Sequence, residues 1–392
     1  MRSRLRWIPC WLLSCALLCV TTAARAEGSI TATHAERIGE WQGAPLYRTT
    51  VTSPVHHIDR IYKSMQGPVT NSGFRLDPKG ESELLWLVGY EATIVNAEGT
   101  ASLSQEFMCH SSVGTAPRAY RNLLPAKMPP PEGRLFTLAQ GQSVVRFPEG
   151  YGIAYLPGMP LRLQSQVLNH NIEDADLDVR HRVAVDYVRD SDLKQPMIPL
   201  TLTGAFGEKL VSGDGPHFGI DPDSVNPELH GPGCSIGESA MEGHVRGDRH
   251  GQKFTGHWIL KPGREENHTR VTNQLRLQHD THLHYAAIHL HPYATSLQLR
   301  DITADEVVFE VKGKSAKDRI ALENIEHVSS AEGLPLYKGH EYEVVSIYEN
   351  DSGVDQDAMA TVFMYIRADD VDVEEIRRRA AKMTKRQKQA AN

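Results

Sequence analysis

Cysteine is scarce in this sequence, which has five cysteines in 392 residues. Cys10, Cys15 and Cys19 lie in the first 26 residues, so a chain that loses this segment keeps only Cys109 and Cys234. Two cysteines cannot build the disulfide framework that holds small secreted domains together. The protein must therefore fold by burying a hydrophobic core.

The first 26 residues have the pattern of a secretory signal. An arginine-bearing start precedes an apolar run, and the segment ends in Ala24-Arg25-Ala26, a small-residue cleavage site. The apolar run is too short to be preferred as a membrane span. This pattern fits better than a lipid-modified Cys15. We expect cleavage before Glu27 and a secreted or periplasmic protein.

Positive charge is also limited. The formal net charge is −7, and removal of the four arginines of the signal lowers it to −11. An acidic protein with scattered bases does not match a nucleic-acid binder. The one basic run, IRRRAAKMTKRQK at 376–388, favours a solvated helix or a frayed end over a membrane-surface segment. We therefore expect neither a nucleic-acid partner nor a membrane-surface partner.

Most of the chain consists of short β-branched and aromatic segments separated by Gly, Pro, Asn and Asp. Alternation in segments such as HRVAVDYV and YEVVSIYEN predicts antiparallel strands with one buried face. Segments at this spacing favour sandwiches over βαβ units. We predict an all-β fold of two antiparallel, jelly-roll-like β-sandwich domains in tandem, with a short basic C-terminal helix.

Composition divides the chain into five parts. The signal (1–26) precedes a first β-sandwich (45–200), an insertion or linker (201–255), a second β-sandwich (256–370) and a basic helical tail (371–392). The insertion stands out because Gly, Pro, Asp and His replace the apolar runs there. There is no Walker loop, no H-E-x-x-H and no C-x-x-C motif to suggest another chemistry.

The segment HYAAIHLHPY (284–293) concentrates histidines in an apolar strand. Residues i and i+2 of a strand project from one face, so His289 and His291 should present two imidazoles side by side. Such a pair is a natural bidentate site for copper or zinc. A thioether would favour Cu(I), and Met359 opens a strand after an acidic turn in DQDAMATVFMYI. The competing interpretation is that Met359 fills the core.

The remaining histidines are weaker candidates. Strand alternation places His279 on the face of His289 and turns His282 and His284 away, unless a bulge intervenes. The His56-His57 pair favours a solvated position. Glycine-rich polar loops hold histidines without function more often than not, which applies to those in or beside the insertion: His217, His230, His244, His250 and His257.

Two segments of the second domain resemble the copper type II, ascorbate-dependent monooxygenases, which include the peptidylglycine α-hydroxylating and dopamine β-hydroxylating enzymes. The segments are THLHYAAIHLHPYATSLQL and, about seventy residues later, DAMATVFMYI. The resemblance implies that His289, His291 and Met359 form the catalytic copper site where oxygen binds. The family also tends to have a histidine seven residues before the pair, where this chain has His282.

The first domain resembles the same family more faintly. LVGYEATIVNAEGTASLSQEFMCHSSVG matches the strand with the family's His-His pair, which reads Cys109-His110 here, and LQSQVLNHN offers His170 as the third histidine. The resemblance implies a second, electron-delivering copper at these residues, across a solvent-filled gap. Cys109 has three open alternatives, namely a thiolate ligand, a buried thiol or a disulfide with Cys234.

Three departures from the family concern the substrate. The peptide-hydroxylating branch has an arginine two residues before the His-x-His pair, and an asparagine and a tyrosine two and four residues after the methionine. These positions are Ala287, Thr361 and Phe363 here. Loss of a charge-paired anchor removes a large part of carboxylate recognition. We expect a small-molecule or other substrate not anchored by a carboxylate, and no peptide amidation.

The residues and the resemblance together predict an exported copper-dependent monooxygenase. It would hydroxylate an activated C–H bond with O2 and an external reductant such as ascorbate, and two copper ions are expected. The alternative is a non-catalytic exported copper-binding protein for storage, delivery or sensing. The altered first site and the histidine-rich insertion favour that alternative.

Overall fold

The computed structural model describes residues 30–32, 35–76, 83–126, 133–211, 245–247 and 253–391. Strands dominate these residues, which confirms the predicted all-β fold. The expected signal, 1–26, lies outside them. Among the described helices, none has the length and apolar character needed to cross a membrane.

The strands are numbered along the chain. Those of the first half are β1 Thr31–Ala32, β2 Glu36–Trp41, β3 Ala44–Thr52, β4 His56–Ile58, β5 Val69–Phe74, β6 Leu85–Asn96, β7 Met108–Thr115, β8 Arg134–Ala139, β9 Val144–Arg146, β10 Tyr151–Tyr155, β11 Leu161–Val167 and β12 Leu177–Arg189. Those of the second half are β13 Ile198–Phe206, β14 Lys209–Val211, β15 Val245–Gly247, β16 Lys253–Thr255, β17 Trp258–Leu260, β18 Gly263–Arg270, β19 Thr281–Leu290, β20 Ala294–Asp301, β21 Glu306–Ser315, β22 Leu322–Ile325, β23 Val328–Leu336, β24 Tyr342–Asn350, β25 Gln356–Ala358 and β26 Ala360–Arg367. The helices are α1 Pro117–Leu123, α2 Thr272–Leu275 and α3 Val373–Ala391, with 3-10 turns at Gln105–Phe107 and Asp190–Asp192.

One large sheet runs through both halves of the chain, in the order β1-β3-β12-β6-β10-β13-β26-β19-β23. Its junction is β13, which pairs in parallel with β10 and antiparallel with β26. All other strand pairings in the described residues are antiparallel. Because β13 continues past residue 200 into the second half, the large sheet joins the two halves. The division into two tandem domains stays a prediction.

Two hydrophobic cores lie against this sheet. In the first half the large sheet packs on the four-stranded sheet β5-β11-β7-β8, and buried side chains of the two sheets meet there, as where the rings of Tyr90 and Phe136 stack with centroids 5.3 Å apart. In the second half it packs on the five-stranded sheet β18-β24-β20-β21-β22 around residues such as Tyr348. Each fully buried large apolar side chain contributes about 1.5–3 kcal/mol to folding.

The two halves contact each other directly. Gln142 of the first half accepts a hydrogen bond from the backbone N–H of Ile288 at 2.9 Å, and its Nε2 donates to the hydroxyl of Tyr285 at 3.1 Å. The hydroxyl of Tyr151 donates to the carbonyl of Ala331 at 2.9 Å. These contacts fix the halves against one another, so side chains from both can meet at one site.

The predicted basic C-terminal helix is present as α3. Ile376 is fully buried against the first core, and the guanidinium Nε of Arg377 lies 2.8 Å from Oδ2 of Asp190. The helix is therefore docked on the first half through one face rather than solvated on all sides. Within the predicted insertion, β14, β16 and β15 form a small sheet. Residues 212–244 and 248–252 of the insertion lie outside the described ranges.

Candidate metal centre

The two histidines of the His-x-His pair lie at the end of β19, and their ring centroids are 5.3 Å apart. Ala286, Ile288 and Leu290 of the strand pack in the second core, whereas Tyr285 and Ala287 pack in the first. His289 continues the alternation of Tyr285 and Ala287 and lies on their face of the strand. The pair therefore lies where β19 faces the first half of the chain.

His291 is buried and has partners at both ring nitrogens. Its Nδ1 lies 3.2 Å from Oδ2 and 3.4 Å from the backbone oxygen of Asp357, and its Nε2 lies 3.2 Å from Oγ of Ser64. Both partners of Nδ1 are acceptors, so in the neutral ring Nδ1 carries the hydrogen and Nε2 carries the lone pair. The lone pair is the feature that a metal ion needs, and here it accepts a hydrogen bond from the Ser64 hydroxyl.

A third donor, His257, joins His291 and Asp357. The three residues are buried, each offers one potential ligand atom, and these atoms all lie within 4.8 Å of one another. The ring centroids of His257 and His291 are 5.0 Å apart. Strand pairing explains the arrangement, because β17, which follows His257 directly, pairs with β25, which contains Asp357.

The charges at this cluster support metal binding. Burial alone would raise the pKa of Asp357, but the charge and hydrogen bond of His291, with His170 and His257, outweigh burial and hold it well below its ordinary value. Burial lowers the pKa of His170. The carboxylate of Asp357 is thus held in its ionised form, which is the form that ligates metals.

The backbone of Met359 lies beside the backbone of His291. Leu290 pairs with Ala360, so His291 and Met359 are the next residues along the two neighbouring chains. The hydroxyl of Tyr348 donates to the carbonyl of Met359 at 2.6 Å, which fixes the backbone there. Met359 is only partly buried, and both alternatives for its side chain, a copper ligand or a packing residue, stay predictions.

His170 interacts with this cluster from the first half of the chain. It lies three residues beyond β11, both its ring nitrogens are buried without a hydrogen bond, and it interacts electrostatically with Asp357 and His291. The residue of β11 opposite His110 is Gln166. A first-domain copper site formed by Cys109, His110 and His170 stays a prediction.

The other two members of that set lie on β7. Cys109 is buried in a strand irregularity, between the pairs Met108 with Val167 and His110 with Gln166, and the three alternatives for its sulfur stay predictions. Its proposed disulfide partner, Cys234, lies outside the described residues. Burial lowers the pKa of His289 well below its ordinary value, with His291 and His110 adding to the effect. His110 thus interacts with the His-x-His pair itself.

The expected solvent-filled gap between the two sets is absent at His291. The hydroxyl of Ser64, a first-half residue, bonds directly to the ring of His291. His170 from the first half interacts with both His291 and Asp357. Ser64 and His170 of the first half thus interact with the centre at His291, and the expectation of two separate copper sites stays a prediction.

A β-bulge at His284 changes the expected alternation. Leu283 pairs with Ile366 while Tyr285 pairs with Tyr365, so one residue of β19 is extra. His284 is consequently buried and stacks on Tyr151 of the first half, with ring centroids 3.9 Å apart. The expectation that His284 faces away was wrong because of this bulge.

The sequence does not predict two of the ligand candidates, His257 and Asp357. His257 lies beside the glycine-rich insertion, and the one signal that separates it from the loop histidines is the apolar strand Trp258–Leu260 directly after it. Asp357 lies in an acidic turn, where carboxylates are common without a metal. The other histidines of the insertion, His217, His230, His244 and His250, lie outside the described residues.

A cleft of about 840 Å3 is lined by residues that adjoin candidate ligands in the sequence. Its lining includes Asn171, which follows His170, and Tyr293, two residues after His291. Charged residues of both signs, including Lys317, Arg319 and Asp351, line its other walls. None of His257, His291 and Asp357 is among its lining residues.

Comparisons with known proteins do not identify a family. No protein-family model matches the chain, and no curated protein matches it. A solved structure described by the triple jelly roll fold and turret assembly of an archaeal virus is 10% identical with a TM-score of 0.18, covering 80% of this chain and 58% of that one. A structure of Sulfolobus Turreted Icosahedral Virus is 9% identical with a TM-score of 0.17, covering 79% and 59%.

A third solved structure, PBCV-1 VP54 fitted into a reconstruction of the virophage Sputnik, is 8% identical with a TM-score of 0.26, covering 86% of this chain and 92% of that one. The chain spans less than two thirds of the length of the first two structures. At TM-scores this low the likenesses carry no argument about this protein.

Proposed function

We propose that this protein is a copper-dependent, monooxygenase-like enzyme whose metal centre is built around His291. The observation that supports the proposal is the convergence of His257, His291 and Asp357, with potential ligand atoms within 4.8 Å of one another. A buried carboxylate and clustered buried imidazoles are costly to desolvate. A bound metal ion would offset this cost.

The residues fit a metal ion by their hydrogen bonding as well as by their spacing. His170 has two buried ring nitrogens that no hydrogen bond satisfies, beside Asp357 and His291. Most buried polar side-chain atoms in proteins have a hydrogen-bond partner. A buried imidazole without one, beside other potential ligands, is therefore favoured as a metal ligand. His170 is therefore a further candidate ligand of this centre.

Two ligand sets share His291. The geometric set is His257, His291 and Asp357, whereas the resemblance implies His289, His291 and Met359. In the second set Asp357 would hold Nδ1 of His291 and leave Nε2 for the metal, as carboxylates commonly do for ligating histidines. Imidazole suits several metals, and the thioether of Met359 would favour copper.

Bound copper would supply one-electron chemistry with O2 and a reductant. The chain itself orients and protects the site. Asp357 fixes the tautomer and the ring direction of His291, and the tight contact between the halves limits water at the cluster. The cleft near Asn171 and Tyr293 would admit the substrate.

The proposed function does not include peptide amidation. Ala287, at the position of the family's carboxylate-anchoring arginine, is buried in the first core and lies opposite Phe363. An alanine methyl group offers no charge to a carboxylate. We therefore expect a substrate that is held by polar contacts in the cleft.

The test is copper content and oxygen consumption with ascorbate in residues 27–392, compared for wild type and His291→Ala. A matched control is His268→Ala, because His268 is exposed and paired with Glu266 at 3.0 Å. We expect His291→Ala to lose bound copper and reductant-driven oxygen uptake, and the control to keep both. A wild-type protein that binds no copper would overturn the proposal.

The same experiment distinguishes the non-catalytic alternative. Copper bound at full occupancy without oxygen uptake above that of free copper would favour storage or delivery. The buried position of His257, His291 and Asp357 is compatible with such a carrier. Oxygen uptake that disappears with His291→Ala would exclude it.

A further inference from the structure

The inside of the first β-sandwich contains two histidines that the proposed function does not use. His56 of β4 and His181 of β12 are 1% and 0% exposed, and their ring centroids are 5.4 Å apart. His56 pairs with Val179, two residues before His181, so the two side chains share one face of the large sheet. The expectation of a solvated His56-His57 pair holds for His57 alone, whose side chain is about half exposed.

Hydrogen bonding leaves most of these imidazole nitrogens unsatisfied. Nε2 of His56 lies 3.1 Å from Oγ of Ser165 and 3.4 Å from Oγ1 of Thr70, but its Nδ1 has no partner. Neither ring nitrogen of His181 forms a hydrogen bond. A buried polar group without a partner costs about 1–3 kcal/mol. Three unsatisfied nitrogens on two neighbouring rings are therefore unexpected in a purely structural pair.

The surroundings of the pair determine which ligand it could take. The charge that acts on His56 from its own sheet is the cation Arg180, and His110 acts on His181. Burial lowers the pKa of both imidazoles, that of His56 to about 4, so both are neutral at pH 7. The partners facing His56 from the opposite sheet, Ser165 and Thr70, are hydroxyls rather than carboxylates.

A buried dication beside an arginine, without an anionic ligand, would be strongly disfavoured. A monovalent ion costs much less to bury, and copper is the imidazole-binding metal that has a stable monovalent form. We propose that His56 and His181 form a second, buried Cu(I) site inside the first β-sandwich. The site shares no residue with the centre at His291, and neither histidine is a position that the family resemblance assigns.

The test counts Cu(I) per chain, supplied from a colorimetric Cu(I) chelator, in a His257→Ala/His289→Ala/His291→Ala background, which removes the imidazole ligands of both sets proposed for the centre between the halves. We expect this background to retain one Cu(I) per chain and to lose it on addition of His181→Gln or His56→Gln. His57→Gln is the matched control, because His57 adjoins His56 in sequence but is exposed, with Nδ1 2.9 Å from Asp178. The control should keep the ion.

A second measurement protects the test against variants that fail to fold. X-ray absorption of the Cu(I)-loaded background protein should show two imidazole nitrogens as the copper ligands. Circular dichroism of the metal-free variants should match that of the background. A background protein that binds no Cu(I), or folded His181→Gln and His56→Gln variants that keep it, would overturn the proposal and leave the pair a structural one.

Discussion

Nδ1 of His291 lies 3.2 Å from Oδ2 of Asp357, and the backbone oxygen of the same aspartate lies 3.4 Å from that nitrogen. One residue thus fixes the direction and the tautomer of the central imidazole of the site. The carboxylate also counts among the donors that lie close enough to share a metal ion with His291 and His257. Its substitution should therefore affect metal binding whichever ligand set is correct.

Asp357→Asn should weaken metal binding by about 10–100-fold, because outer partners of ligating histidines typically contribute this much. Asp357→Ala should weaken it further if the carboxylate is itself a ligand. Competition with chelators of known affinity measures both. Asp355→Asn is the control, since Asp355 is exposed and pairs with Lys261. Unchanged affinity in Asp357→Asn would show that the carboxylate contact with His291 has no role in the site, since the backbone contact remains in this variant.

Met359→Leu should discriminate between metals. A thioether prefers Cu(I), and leucine keeps the side-chain volume without the sulfur. We expect Cu(I) affinity to fall by at least tenfold, on the order of 1.4 kcal/mol, while Zn²⁺ affinity is unchanged. Met364→Leu is the matched control, because Met364 is fully buried in the second core. Equal Cu(I) affinity in both variants would assign Met359 to packing.

Gln142→Ala should destabilise the contact between the halves. The side chain satisfies the buried N–H of Ile288 and the hydroxyl of Tyr285. Removal leaves the buried N–H of Ile288 unsatisfied, at a cost of about 1–3 kcal/mol, whereas the hydroxyl of Tyr285 keeps its hydrogen bond to the carbonyl of Val144. The free energy of unfolding from denaturant titration should fall by at least the lower value. A copper titration of the same variant should show weaker binding, because the site draws residues from both halves.

The control for that prediction is Gln278→Ala, since Gln278 is exposed and bonds only locally to Arg276. A fall in stability confined to Gln142→Ala would locate the effect at the contact. If copper binding is unchanged despite lower stability, the two halves position the metal centre independently of this contact.

Strand patterns predicted the fold class and the adjacent rings of His289 and His291, because a two-residue period is a local property of the chain. The same reasoning failed at His284, where a bulge inserts one residue and turns the side chain inward. A bulge depends on the pairing of β19 with β23 and β26, which no single segment encodes. His56 and His57 illustrate the same limit, since only the sandwich decides which of the two is buried.

The composition of the metal centre could not be predicted for a related reason. His257 and Asp357 are a hundred residues apart in sequence, and they meet because β17 pairs with β25. The resemblance implied a first-domain site for His170, and the structure adds an electrostatic interaction of His170 with Asp357 and His291. Which residues meet at this site is determined by the pairing of strands that are distant in the sequence, and the types of the residues do not encode that pairing.

The stability of the metal-free protein should depend on pH through His284. Its ring stacks on Tyr151, Nδ1 donates to the carbonyl of Ser330 at 3.0 Å, and Nε2 is buried without a partner. Burial lowers the pKa of His284, and the hydrogen bond to Ser330 only partly opposes this. In the unfolded chain the pKa returns to about 6.5. The unfolded state then binds more protons than the folded state below that pH, so the free energy of unfolding should fall as the pH decreases from 6.5.

Denaturant titrations at pH 7.5, 6.5 and 5.5 would measure this dependence, and His284→Gln should reduce its slope. Other buried histidines contribute as well, so the informative quantity is the difference in slope between wild type and variant. His282→Gln is the control, because His282 is its exposed neighbour on the same strand. If the slope is the same in all three proteins, His284 is not neutral in the folded state, and the stacked arrangement with Tyr151 does not determine its protonation.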